Sequence, residues 1–288
     1  MLIRSAFGAA AAVSLIVSVL IVASLADGAA SFLGKIDLAQ LWTDGWFPRR
    51  GLFDIKTLIG GTLLVALIAM VVATPLGLGS AVYLAEYASP RTRRIVKPVL
   101  EILAGIPSIV LGFFALTFIS PHLVERFCGQ SSAFNMAAAG IAVGILVTPL
   151  IASIAEDSLR AVPNSLREGS SGLGARKATI TVRIVVPAAV SGVVASLIVG
   201  ASRAIGETMV VAIASGATGG SLFSLQPCRS GQTMTAAMAA LATGTDQVRG
   251  SAAAIDSLFF VGLLLFLMTL SLNVISERFV KRIRSAHR

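Results

Sequence analysis

Arg203 and Glu207 stand four residues apart in GASRAIGETMVV, residues 200–211, where their neighbours are small or apolar. A guanidinium offers a planar fork of donors to a carboxylate or another oxyanion. On a helix, residues at i and i+4 share a face, so the pair is within reach of an ion pair. An arginine in the middle of an apolar helix costs about 2.5–3.5 kcal/mol even on mild insertion scales. Two readings follow: a neutralised strut that pins helix register, or an anion contact that Glu207 holds in place and weakens enough for release. Intramembrane ionisable residues favour the second. Ser202 and Thr208 flank the pair and are expected to line the same path for the anion. Ser108 follows Pro107 in AGIPS, where a broken helix could offer backbone N–H groups to an anion. Thr62, Thr74 and Thr148 are expected to bond to their own helix backbone.

The elements that must hold this pair are apolar helices. The 288 residues are 56% hydrophobic and 13% charged, with mean hydropathy +0.88, the composition of a membrane protein. Six runs of about 20 apolar residues can each cross a bilayer as a helix. They are Ala6–Ala26, Thr57–Leu84, Val99–Ser120, Ala133–Ala155, Ala188–Ala217 and Ile255–Ile275. A signal peptide is the alternative for the first, with Val22-Ala23-Ser24 as the cleavage site. Pro75, Pro107 and Pro149 interrupt spans, which in lipid requires neighbouring helices or water to satisfy the freed backbone groups. The fold class is therefore an all-α polytopic membrane bundle.

Net charge is +9 and the pI about 10.5. No basic run is interleaved with aromatics, so nucleic acid is not a partner. Alternating the loops across the bilayer puts fifteen lysines and arginines on one side and seven on the other, with Arg203 within a span. That asymmetry predicts both termini in the cytoplasm, a multi-pass cell-membrane protein and a basic tail at 281–288. Glu86 and Glu101 fall near cytoplasmic span ends, where Arg91, Arg93, Arg94 and Lys97 are their expected partners. Cys128 and Cys228 both fall in outer loops, which permits a disulfide or two free thiols.

Several chemistries are excluded. The phosphate-loop spacing of glycine, four residues, glycine, lysine and serine or threonine is missing, so the chain has no ATPase site of its own. His122 and His287 are the only histidines, one in an outer loop and one in the tail. A histidine-based hydrolase and a metal site are therefore unsupported, and no catalytic residue is assigned.

Between the fourth and fifth spans, residues 156–187 mix polar and apolar residues at helical spacing, with Leu159, Val162, Leu166 and Leu173 apolar and Pro163 opening a short helix. An amphipathic helix in such a loop needs a membrane surface or a partner protein to cover it. Glu168-Gly169-Ser170, three residues, Gly174, nine residues and Ile184-Val185-Val186-Pro187 reproduce the spacing of the EAA loop of bacterial ABC importer permeases. Gly169 and Ser170 stand where that family prefers alanines. EYASPRTRRIVKPVLEILAGIPSIVLGFFAL, IASIAEDSLRAVPNSLREG, RAIGETMVV and SGQTMTAAM then resemble the phosphate-specific transport permeases, from about Phe47 to the C-terminus. GFFAL and the methionine after Gly206-Glu207-Thr208 look like the PstC type, with the PstA type as runner-up.

The resemblance implies a six-helix type I importer permease, MetI-like, with a transmembrane domain at 47–280 preceded by a helix and the start of an outer loop at 1–46. It further implies that the EAA loop couples to an ATPase through Glu168, Gly169, Ser170, Gly174 and Pro187. Implied partners are a second, PstA-type permease, two copies of a cytoplasmic subunit that binds the ATP, and a phosphate-binding protein on the outer side; the chain itself needs no cofactor. Another oxyanion such as sulfate or molybdate is the alternative cargo, and an ATP-independent channel or scaffold the alternative class.

Overall fold

The computed structural model describes residues 2–43, 45–129, 132–216, 220–244 and 252–286. Ala217, Arg249 and His287 lie outside them. The chain is a helical bundle in which five helices are long and apolar enough to cross a bilayer, or six when one bent pair is taken as a single span. α1, Leu2–Lys35, leads to a two-stranded hairpin of β1, Trp46–Phe47, and β2, Leu52–Phe53. α2, Ile55–Val82, begins at the buried Asp54, whose carboxylate accepts hydrogen bonds from Lys56 N and Thr57 Oγ1. That cap satisfies donors the first turn would otherwise leave open. A wider helical turn, Tyr83–Tyr87, ends it.

The third expected span is corrected. Val99–Ser120 is not one helix: α3, Pro90–Ala104, stops at Gly105, and α4, Ser108–Cys128, starts after Pro107. Proline disfavours helical backbone in the residue before it, and Ile106 supplies the break. α3 has no buried residue, and five of its residues are charged, which explains why an apolar window there misleads. Pro75 and Pro149, by contrast, sit inside continuous helices. α5, Met136–Arg160, is capped by the Asn135 side chain accepting from Ala138 N.

α2 and α5 form the centre of the bundle. A Cβ added at Gly140 would meet Ile68 at 2.7 Å, and one at Gly144 would meet the Ala69 carbonyl at 2.8 Å. Small residues four apart let two apolar helices approach closely, which is how helices pack where lipid supplies no hydrophobic contrast. Ala69, Ala73, Val143, Val147 and Ile151 fill this core, joined by Ala204, Val210 and Val211.

The loop helix is α6, Asn164–Gly172, opening after Pro163 as the sequence predicts. α7, Lys177–Ala188, and α8, Val190–Ile205, are bent by 72° to one another. The fifth span, expected as one run from Ala188, therefore starts at a bend and is interrupted again at Gly206–Thr208 before α9, Met209–Ala214. α10, Met234–Ala242, and α11, Ala252–Ala286, complete the chain. α1 docks on α11 only through its last turns: Gly28 lies against Phe259, and the Phe32 and Phe260 ring centroids are 5.2 Å apart. Phe32, Trp46, Phe53, Leu58, Met234 and Val261 make a second core at this end. Cys128 and Cys228 are joined in a disulfide with Cα atoms 5.9 Å apart, which ties the end of α4 to the segment before α10.

Candidate functional site

α8 runs antiparallel along α5. Gly192 lies against Ser158 near one end, and Gly200 against Val147 and Ile151, the middle of α5. Arg203, about one turn further, is therefore level with mid-bundle. There α8 gives way to Gly206-Glu207-Thr208. The Glu207 side chain is 3% exposed and the Arg203 side chain 51%, with Arg203 Nη1 3.3 Å from Glu207 Oε2. Glu207 Oε1 accepts from Val210 N at 3.3 Å, and the Glu207 carbonyl accepts from Thr235 Oγ1 at 2.7 Å. The carboxylate is thus fixed by the start of α9 and its backbone by α10, while half of the Arg203 side chain stays open. Such an arrangement can offer several N–H donors to an anion without leaving the arginine unneutralised when the anion departs.

Ser202 Oγ donates to Asn273 Oδ1 at 2.9 Å, linking α8 to α11. Thr208 Oγ1 donates to the Gly206 carbonyl at 3.4 Å, a weak local bond. Ser108 begins α4, and one turn on Gly112 packs on Ile213 and the Met209 carbonyl. The break before α4 and the break after α8 are thereby brought to neighbouring positions. Thr62 and Thr148 do bond to their own helices, at the Leu58 and Gly144 carbonyls; Thr62 also accepts from Met234 N at 3.0 Å. Sequence reasoning missed Asn273 and Thr235. Asn273 stands alone as an amide in the apolar run LFLMTLSLNVI, a signal that intramembrane polarity alone would have flagged.

At the other end, α6 carries Glu168, exposed, with Gly169 and Ser170 behind it. Ser170 Oγ donates back to Leu166 O. Gly174 has φ +80°, and its N–H together with that of Ala175 closes the helix onto Ser171 O and Ser170 O. Glycine is the residue that adopts this left-handed turn without strain. Leu159 and Val162 are buried with Ala81, Ile180 and Val185, whereas Leu166 is 44% and Leu173 90% exposed. The apolar periodicity of the loop therefore splits: its first half anchors α5 to α7, and its second half is left uncovered. Pro187 is exposed at the end of α7, immediately before the 72° bend.

The cations of this end pair differently from expectation. Glu86 is held by Arg167 of α6, not by α3. Arg167 Nε and Nη2 both donate to Glu86 Oε1, at 3.2 and 2.8 Å, and its other donors go to Leu159 O, Val162 O and Asn164 Oδ1. Arg93 and Lys97 of α3 instead turn to Glu156, at 2.5 and 3.3 Å, and Lys97 also reaches Asp157 at 3.0 Å. The Glu156 oxygens are buried, and these contacts have ion-pair distance without hydrogen-bond geometry. The reason is topological: α3 folds back along α5, so its cations meet the acidic end of α5 rather than their neighbours in sequence. Burial pulls the Lys97 ammonium down, but the Asp157 hydrogen bond and the Glu156 charge outweigh it and hold its pKa above the usual lysine value. No group of histidine, cysteine and carboxylate side chains suited to a metal ion occurs among the described residues.

Residues 73–285 match the family described as binding-protein-dependent transport system inner membrane component. The chain belongs to this family. The permease relatives include the phosphate transport system permease protein PstC of Pasteurella multocida, 30% identical over 281 residues, covering 91% of this chain and 86% of the relative. PstC 1 of Mycobacterium tuberculosis is 32% identical, with 84% and 76% covered, and PstA 1 of the same species 37% identical over 60% of this chain and 54% of the relative. Among solved structures, the inward-facing MetNI methionine ABC transporter is 19% identical with a TM-score of 0.55, covering 86% of this chain and 99% of that one. This likeness shows the fold, that of an ABC importer permease. The chain is a multi-pass membrane permease subunit of the ABC importer class, as the EAA spacing led one to expect.

Proposed function

We propose that this permease carries inorganic phosphate, and that Arg203 is its transient contact with the moving anion. The observation that carries the reading is the asymmetry of the mid-bundle pair: a buried, fixed Glu207 and a half-exposed Arg203. A fully neutralised strut would bury both partners. Both termini and α6 lie on the cytoplasmic side, and the disulfide on the outer side. A PstA-type permease completes the path, a phosphate-binding protein delivers to the outer face, and two ATP-binding subunits supply the energy. α6 is the coupling helix, and its exposed Leu166 and Leu173 are the apolar surface that an ATPase groove covers. ATP-driven closure moves α6. The anchors of Arg167 on Glu86 and of Leu159 and Val162 in the bundle pass that movement to α2 and α5. Phosphate then meets Arg203, is not trapped because Glu207 competes for the same donors, and leaves to the cytoplasm.

The test is labelled phosphate uptake by the assembled transporter, with arsenate and sulfate as competitors, in wild type, Arg203→Ala and Glu207→Ala. Arg203→Ala is expected to lose transport while the complex still assembles, and Glu207→Ala to lose turnover through over-tight binding. Unchanged uptake in both reduces the pair to a strut. Sulfate competing as well as arsenate would point to another oxyanion as cargo.

A further inference from the structure

We infer that the permease holds a second phosphate-group site, remote from Arg203, in the cavity beneath the coupling helix. This cavity, about 560 Å³, lies where the ends of α2 and α5 meet the starts of α3, α6 and α7, and Glu86, Arg93, Arg160, Asn164, Arg167 and Lys177 line it. Four of these six are cations and one is an anion. Two of the cations are already committed: Arg167 spends its donors on Glu86, Asn164 and two backbone carbonyls, and Arg93 is at 2.5 Å from Glu156. The other two are not. Among the described residues Arg160 and Lys177 face no carboxylate within ion-pair distance, and the Lys177 ammonium sits only over the Tyr87 ring, 5.1 Å from its centroid.

A cavity whose one carboxylate is already neutralised, with two uncommitted cations, carries net positive charge in a concave place where solvent screens it less than on a flat surface. The donor set is suited to a phosphate oxygen: a planar guanidinium, a mobile ammonium and the Asn164 amide. A general excess of cations on the cytoplasmic side does not account for the convergence, because Arg160 and Lys177 are 17 positions apart in sequence and reach one cavity only because α6 folds back between them. Two sources present this chemistry. Free orthophosphate can occupy the cavity as product, and so can the headgroup of an anionic phospholipid at the membrane edge, beside the exposed Tyr83 and Tyr87 rings. The site does not depend on Arg203.

The experiment uses the whole transporter complex in nanodiscs, of phosphatidylcholine alone or with phosphatidylglycerol. Equilibrium binding of labelled orthophosphate and retention of phosphatidylglycerol by mass spectrometry are measured for wild type, Arg160→Gln with Lys177→Gln, Arg160→Lys and Arg203→Ala. Orthophosphate binding in phosphatidylcholine that survives Arg203→Ala but weakens about tenfold or more in the double variant, the effect of losing a charge-assisted hydrogen bond, supports the site and makes its ligand the free anion. Retention of phosphatidylglycerol that the double variant loses supports the site and makes its ligand the headgroup. Arg160→Lys keeps the charge and is expected to retain either behaviour, which separates a binding loss from misfolding. Orthophosphate binding and lipid retention both equal to wild type in the double variant overturn the inference, whatever Arg203→Ala does to transport.

Discussion

Two arginines, each beside a glutamate, are used in opposite ways. Arg167 at the cytoplasmic end makes five hydrogen bonds, to Glu86, Leu159, Val162 and Asn164, which exhausts the five N–H donors of a guanidinium. Arg203 at mid-bundle makes one contact of 3.3 Å and keeps half its side-chain surface. The first arginine has nothing left to give a ligand and everything to give the fold. The second holds the fold weakly and has donors to spare. Charge and neighbouring residue type are the same in both, so it is saturation that separates a strut from a contact.

The largest effect should fall on the saturated side. Arg167→Ala strands the buried Glu86 carboxylate and two carbonyls, and should cost about 3–5 kcal/mol. Arg203→Ala also leaves a buried carboxylate, Glu207, without its cation, but gives up one contact of 3.3 Å rather than five hydrogen bonds, and should cost about 1–3 kcal/mol. Denaturation of the purified complex measures both, and equal losses would erase the contrast. Next comes a swap that keeps charge and removes the fork. Arg203→Lys should lower phosphate uptake about tenfold, since an ammonium cannot reproduce bidentate contact, with stability unchanged; in Arg167→Lys the order reverses, stability falling before transport.

A smaller effect tests the turn that closes α6. Gly174→Ala puts a Cβ on a backbone at φ +80° with open space around it, so the cost is conformational only, about 1–2 kcal/mol. Faster amide exchange confined to 169–176 is the expected signature; exchange spreading into α5 would mean the turn supports more than α6. The smallest effect belongs to the second clasp. Lys97 has a raised pKa in the folded protein, so its contribution is complete below the ordinary lysine value of about 10.4 and fades as pH rises through the folded value. The stability difference between wild type and Lys97→Met should be flat from pH 6 to about 10 and shrink above. A difference that shrinks below pH 9 would contradict the Asp157 and Glu156 partnership.

Much of this contrast was readable in the chain before folding. Arg203 and Glu207 at i and i+4 in an apolar run gave away a mid-span charge pair, because nothing local rescues a charge at that depth. The EAA spacing and Pro163 placed α6, and Gly174 its turn, because caps and left-handed turns are set by one or two adjacent residues. The Val99–Ser120 reading failed for the opposite reason: an apolar window averages over Gly105-Ile106-Pro107, whose backbone cannot continue a helix, and so joins a surface helix to a span.

Composition, periodicity and local spacing alone determined that the chain crosses a membrane several times, that it carries a short helix in one loop, and that one arginine is buried in sequence among apolar residues. Only the tertiary structure decided which carboxylate each cation meets. Glu86 finds Arg167, which is 81 positions away, and Arg93 finds Glu156, 63 positions on. Those pairings depend on α3 folding back along α5 and on α6 returning beneath α2. Long-range electrostatics follows the path of the backbone, and no local pattern encodes that path.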